Sequence, residues 1–99
     1  MAEWLYRITP ARPQMVTDPT DTEAKIVGDH FQYLVSLRDA GILILAGRTQ
    51  EDLGTFGIVI FEAADADTAR SIAEADPAVS AGVFDMTLHP YAIAVSRDR

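Results

Sequence analysis

A histidine on an apolar helical face and an aspartate set against a proline are the two residues of this 99-residue chain most suited to chemistry. At about 100° per residue, Ile26, Val27, Tyr33, Leu34 and Leu37 make one apolar arc, with His30 near its middle. His30 is therefore expected to point inward. In "AEADPAVSAG" (73–82) a helix-forming run stops at Pro77, and extending the arc of Ala66, Ala69, Ile72 and Ala73 by one step reaches Asp76. A buried carboxylate needs a partner, and a histidine is a good one. In such a pair the carboxylate fixes the imidazole's tautomer and orientation while the free nitrogen moves a proton. Each residue also has a plainer reading. His30 could be a core imidazole bonded to a backbone carbonyl, and Asp76 an N-cap with Pro77 opening a one-turn helix that ends before Gly82.

The elements that must position them are legible in the hydrophobic pattern. "EWLYRIT" (3–9) alternates, with Trp4, Tyr6 and Ile8 on one side, and predicts a strand. "PARPQMVTDP" (10–19) is a proline-rich loop. Thr20 and Glu23 fit a capping box that opens a helix running to about Ala40, where Gly41 stops it. "ILILA" (42–46) and "TFGIVIF" (55–61) read as strands buried on both faces and joined as a hairpin by "GRTQEDLG" (47–54). Asp65 caps a second helix that Pro77 ends. "GVFDMTLHPYAIAV" (82–95) returns as a strand bent or divided at Pro90, and Arg97-Asp98-Arg99 reads as a solvated tail.

The order β-α-β-β-α-β predicts an α+β, ferredoxin-like fold over residues 1–99 as a single domain, with both helices on one face of a four-stranded antiparallel sheet. Strands apolar on both faces then leave one face uncovered. A second copy packed sheet on sheet is the simplest cover, so a homodimer through the helix-free face is expected.

Composition narrows the partners. Eight basic residues against fifteen acidic ones give a net charge of −7, against nucleic acid or an anionic membrane as partner. The absence of cysteine excludes disulfides, thiolate metal sites and a cysteine nucleophile. Two distant histidines without clustered carboxylates do not make a metal site. "GDH" (28–30) lies inside a helix and is no phosphate loop, while His89 reads as a surface or edge residue. The start of the chain lacks a signal-peptide pattern, and no run approaches the ~20 apolar residues of a membrane span. A cytoplasmic protein is the expectation.

With His30 in "DHFQYLVSLRDAGILILAG", followed by "FGIVIFEA" and "AEADPAVSAGVFDMTLHPY", the chain resembles the YciI-like (YCII-related) proteins from residue 3 to about 95. The resemblance implies a dimeric α+β barrel and a histidine–aspartate active site, carried here by His30 and Asp76. It also implies a small-molecule enzyme. One activity of that family eliminates hydrogen chloride from a chlorinated hydroxyhydroquinone. Many members resemble "AGP" after the second strand, where this chain has "AGRTQ" (46–50). Arg48 at that strand end could grip a carboxylate or phenolate bidentately. Tyr6, alternating with Trp4 as core or pocket wall, is placed with Arg48 on the substrate side.

The expected function is cofactor-free proton transfer, an elimination or isomerisation on a small anionic or phenolic molecule. His30 would act as base or acid and Asp76 as its orienting partner. The rival is a noncatalytic dimeric module for a small ligand or a protein, in which the pair only ties the helices together.

Overall fold

The structure, a computed structural model, describes residues 1–97, so Asp98 and Arg99 of the expected tail lie outside the described residues. Strand β1 (Ala2–Pro10) leads through a single 3₁₀ turn at Pro13–Val16 into α1 (Asp21–Asp39). The hairpin strands β2 (Leu43–Arg48) and β3 (Gly57–Ala63) follow, then α2 (Ala66–Glu74), a one-turn α3 (Pro77–Ser80) and β4 (Phe84–Tyr91). The sheet order is β2-β3-β1-β4 and every neighbouring pair is antiparallel. This is the ferredoxin-like α+β arrangement, with α3 added between α2 and β4.

Strand alternation builds the core. Tyr6 and Ile8 of β1 and Val59, Phe61 and Ala63 of β3 share one sheet face and bury against Ala69 and Ala73 of α2. Fully burying a side chain such as Val59 or Phe61 stabilises by ~1.5–3 kcal/mol. The rings of Tyr6 and Phe61 meet edge to face, with centroids 5.8 Å apart. Leu5, Ile58 and Ile60 alternate onto the opposite, helix-free face, where the Arg7 guanidinium lies 4.5 Å from the centre of the Phe56 ring.

Helix boundaries follow local chemistry. Thr20 and Glu23 form the full capping box on α1. At its other end Gly41, at φ 75°, donates to Arg38 O while Ile42 N donates to Leu37 O, the paired bonds of a Schellman stop. The same device ends α3 at Gly82, where Gly82 N reaches Val79 O and Val83 N reaches Ala78 O. Asp65 caps α2 by accepting from Thr68 N.

Two expectations are corrected. The 42–46 run is not buried on both faces, because β2 is the sheet's edge strand and Leu45 is 48% exposed. Nor does Pro90 divide the last strand. Opposite Trp4, it is accommodated within β4, which forms the other edge of the sheet and needs no N–H from it on its open side.

Candidate functional site

Asp76 makes both of the contacts that its sequence position allowed. Its Oδ1 accepts from Ala78 N at 3.0 Å and so caps α3, with Pro77 at the first helical position. Its Oδ2 lies 2.6 Å from His30 Nδ1 and accepts from the Tyr6 hydroxyl at 2.8 Å. The carboxylate is fully buried, and the His30 side chain is only 12% exposed. An ionised carboxylate can only accept, so the ring nitrogen facing it carries hydrogen and donates. This tie joins α1 to the start of α3, elements 46 residues apart in the chain.

Local structure accounts for the meeting. His30 sits mid-helix on the inward arc of α1, and its ring stands edge-on to Phe84, with centroids 5.2 Å apart and planes at 88°. The break at Asp76 turns the chain from α2 into α3, directing the carboxylate under α1. Ala69 and Ala73 are fully buried in the Tyr6–Phe61 cluster. Tyr33, on the same arc, donates to Ile72 O at 2.6 Å and fastens α1 to α2.

The other face of His30 lines a cavity of about 700 Å³ between α1, the loop after β1 and the β2–β3 half of the sheet. Val27, Phe31, Leu34, Met15, Ile8 and Phe84 give it largely apolar walls, with His30, Arg38, Arg48 and Thr55 as its polar points. Among the described residues no fully buried side-chain nitrogen or oxygen lacks a partner, and Nδ1 is the only His30 nitrogen that is hydrogen-bonded. Nε2 is therefore the accessible nitrogen. An imidazole with a donor at Nδ1 and a lone pair at Nε2 is able to accept a proton, and this one lies beside an apolar chamber.

Arg48 stands on the cavity side because β2 carries a bulge. Leu43 pairs with Phe61, yet Leu45 pairs with Ile60, so one step on β3 is matched by two on β2. The extra residue reverses the alternation. Leu45 turns outward, Ala46 joins the core, and Arg48 falls opposite Gly57 and in line with Ile8. A Cβ on Gly57 would lie 3.0 Å from Ile8 Cγ1, so glycine keeps that floor open. Arg48 is exposed, and its one polar contact among the described residues is a long 3.5 Å approach to Thr49 O. Arg38, by contrast, pairs with Asp39.

Tyr6 does not reach the cavity. It is fully buried, and burial first, then the Asp76 charge, hold its phenol well above the usual range. Its hydroxyl meets Asp76. Its place on the core face of β1 was legible, but its partner, 70 residues on, was not. His89 is exposed and, among the described residues, shares a hydrogen bond only with Thr87 Oγ1. Among the described residues no cluster of three His, Asp or Glu could hold a metal ion, and no helix is long and apolar enough to cross a membrane.

Comparison with known proteins gives a family match and likenesses among solved structures. A family profile described as YCII-related domain matches residues 5–88. Among solved structures, the chain is similar to 5-chloro-2-hydroxyhydroquinone dehydrochlorinase from Burkholderia phenoliruptrix AC1100, in complex with 2,5-dihydroxybenzoquinone. The two share 24% identity and a TM-score of 0.66 over 93% of this chain and 94% of that one, a likeness of fold. No curated protein matches the chain.

Proposed function

The chain belongs to the YCII-related family, and from that premise we propose that it is a small-molecule enzyme in which His30 moves a proton and Asp76 orients it. One observation carries this reading. The nitrogen of His30 that faces the protein is bound by a buried carboxylate, while the ring lines an apolar cavity.

The reaction class that suits this geometry is elimination or isomerisation. Nε2 takes a proton from carbon, the C–H electrons form a double bond, and a leaving group departs with its own electron pair. In an isomerisation the proton returns at another atom. Neither needs a redox cofactor. Positioned proton transfer contributes a factor of ~10²–10⁴, which suits an already activated substrate. The similar dehydrochlorinase is named for an elimination and was solved with a quinone, which supports a phenolic or anionic aromatic substrate here. Arg48 would hold the anionic group at the cavity mouth.

The proposed working unit is a cytoplasmic homodimer of single-domain chains joined through the helix-free sheet face, where Leu45 is left half exposed. A noncatalytic module is the second reading, favoured by one observation: Asp76 also caps α3 and ties it to α1. Assaying hydroxylated and chlorinated aromatics for chloride release or isomerisation tests the choice. A His30→Gln chain should lose turnover by ~10²–10⁴ while still binding. Turnover equal to the parent's, or binding without turnover across the panel, would favour the module.

A further inference from the structure

The structure assigns Tyr6 as a positioning residue that acts on His30 through Asp76, an inference resting on the reading of His30 as the proton-moving group. Asp76 Oδ2 receives two donors, the Tyr6 hydroxyl at 2.8 Å and His30 Nδ1 at 2.6 Å, while Oδ1 receives Ala78 N at 3.0 Å. Both oxygens are thus engaged on three elements, β1, α1 and α3. A carboxylate held this way cannot turn about its own axis without breaking a bond in a fully buried site. The acceptor offered to His30 is fixed in direction, and so is the ring that donates to it.

Tyr6 is suited to this task. Its ring is locked against Phe61 in the core, and burial keeps the phenol protonated and therefore always a donor. A neutral donor stabilises the Asp76 charge without replacing His30 as its partner. With Oδ2 committed in this way, the imidazole keeps its hydrogen on Nδ1 and leaves the Nε2 lone pair to the cavity. The carboxylate sets the tautomer, and the hydroxyl holds that carboxylate in place for a residue that it does not itself touch.

Tyr33 provides a matched control. Its hydroxyl is also tied between secondary elements, but to Ile72 O and not to Asp76. Tyr6→Phe and Tyr33→Phe each remove one such hydroxyl and keep the ring. The readout is the ¹⁵N and ¹H spectrum of the His30 ring, assigned by comparison with a His89→Ala chain. In the parent, Nδ1 should carry the proton and exchange slowly with solvent. Tyr6→Phe should shift the Nδ1–H resonance and speed its exchange with solvent as the carboxylate gains freedom to turn, with the hydrogen still on Nδ1 because the carboxylate still only accepts. Tyr33→Phe should leave both unchanged at comparable folding stability.

An unaltered His30 signal in Tyr6→Phe, or equal changes in both variants, overturns the assignment. Should Tyr6→Phe fail to fold, ring-fluorinated tyrosine in a Tyr33→Phe, Tyr91→Phe chain labels Tyr6 alone and strengthens its hydroxyl as a donor. The Nδ1–H resonance should then move, and a fixed resonance overturns the assignment too. Because the readout needs no turnover, its failure is distinct from failure of the enzymatic reading, which is judged by His30→Gln.

Discussion

Arg12 forks Glu23. Its Nε and Nη2 lie 2.9 and 2.7 Å from the two carboxylate oxygens, while Nη2 also donates to Asp18 O. Glu23 accepts at the same time from Thr20 N, so one side chain caps α1 and anchors the loop carrying Met15 and Val16, which wall the cavity. The Arg12 hydrogen bonds first, and the Thr20 N–H second, hold Glu23 down to about 2. A carboxyl with a depressed native pKa stabilises the fold above its ordinary value of 4.5, and that contribution fades as pH falls toward 2. Acid titration followed by circular dichroism should show a loss of stability between these limits that is smaller in Arg12→Ala. Parallel pH profiles for parent and variant would mean that the fork contributes nothing in solution.

A second expectation concerns the cavity floor. Alanine at Gly57 would press against Ile8 Cγ1 and Cδ1, at 3.0 and 3.1 Å. Overpacking of this kind costs ~1–3 kcal/mol. Ile8→Ala removes both atoms, so the double variant should lose less stability than the two single changes added together. Strict additivity in denaturant melts would show that Ile8 relaxes freely and that the floor needs no glycine.

Much of this arrangement was legible in the chain, and what was hidden has a physical cause. The Thr20–Glu23 box and the stop at Gly41 are local, so short sequence windows contain them. The inward aim of His30 follows from helical period alone. The β2 bulge was not legible, because a run of five apolar residues looks the same with or without a slipped alternation. That slip turns Leu45 outward and brings Arg48 into line with Gly57 and Ile8. The edge position of β2 depends on sheet order, which pattern at one strand does not reveal. Likewise the Tyr6–Asp76 bond depends on tertiary packing that places β1 beside the start of α3.

Arg48 should act on ligand charge. Once an aromatic carboxylate or phenolate is found to bind, Arg48→Ala should weaken it about tenfold or more, the loss expected for a bond between charged groups. Arg48→Lys should recover only part, since lysine keeps the charge but not the planar fork. Calorimetric titration across neutral and anionic members of one ligand series checks this. Equal losses for neutral and charged ligands would remove the role.

Leu45→Asp tests the proposed dimer without touching the cavity. The side chain is half exposed in the single chain, so the substitution should cost the monomer little. Buried in a sheet-on-sheet interface, an unpaired carboxylate would oppose association strongly. Light scattering at micromolar concentration should find a dimer for the parent and a folded monomer for the variant. A monomeric parent would refute the arrangement directly.

Asp76→Asn separates the cap from the charge. Asparagine retains an oxygen to accept from Ala78 N, so α3 should remain capped. Its amide, however, presents hydrogens to His30 Nδ1, where the carboxylate presented an acceptor. The imidazole should answer by carrying its hydrogen on Nε2, the nitrogen that the base reaction requires to be free. Tyr6 must then accept from the amide or lose its partner, so stability should fall by ~1–3 kcal/mol. Asp76→Ala removes the cap as well and leaves both remaining donors unpaired, and should cost ~3–5 kcal/mol. Turnover should fall in both variants, but only Asp76→Asn should combine the smaller loss of stability with an inverted tautomer in the ¹⁵N spectrum. Full activity in Asp76→Asn would leave Asp76 as a cap and a tie between helices, with no part in proton transfer.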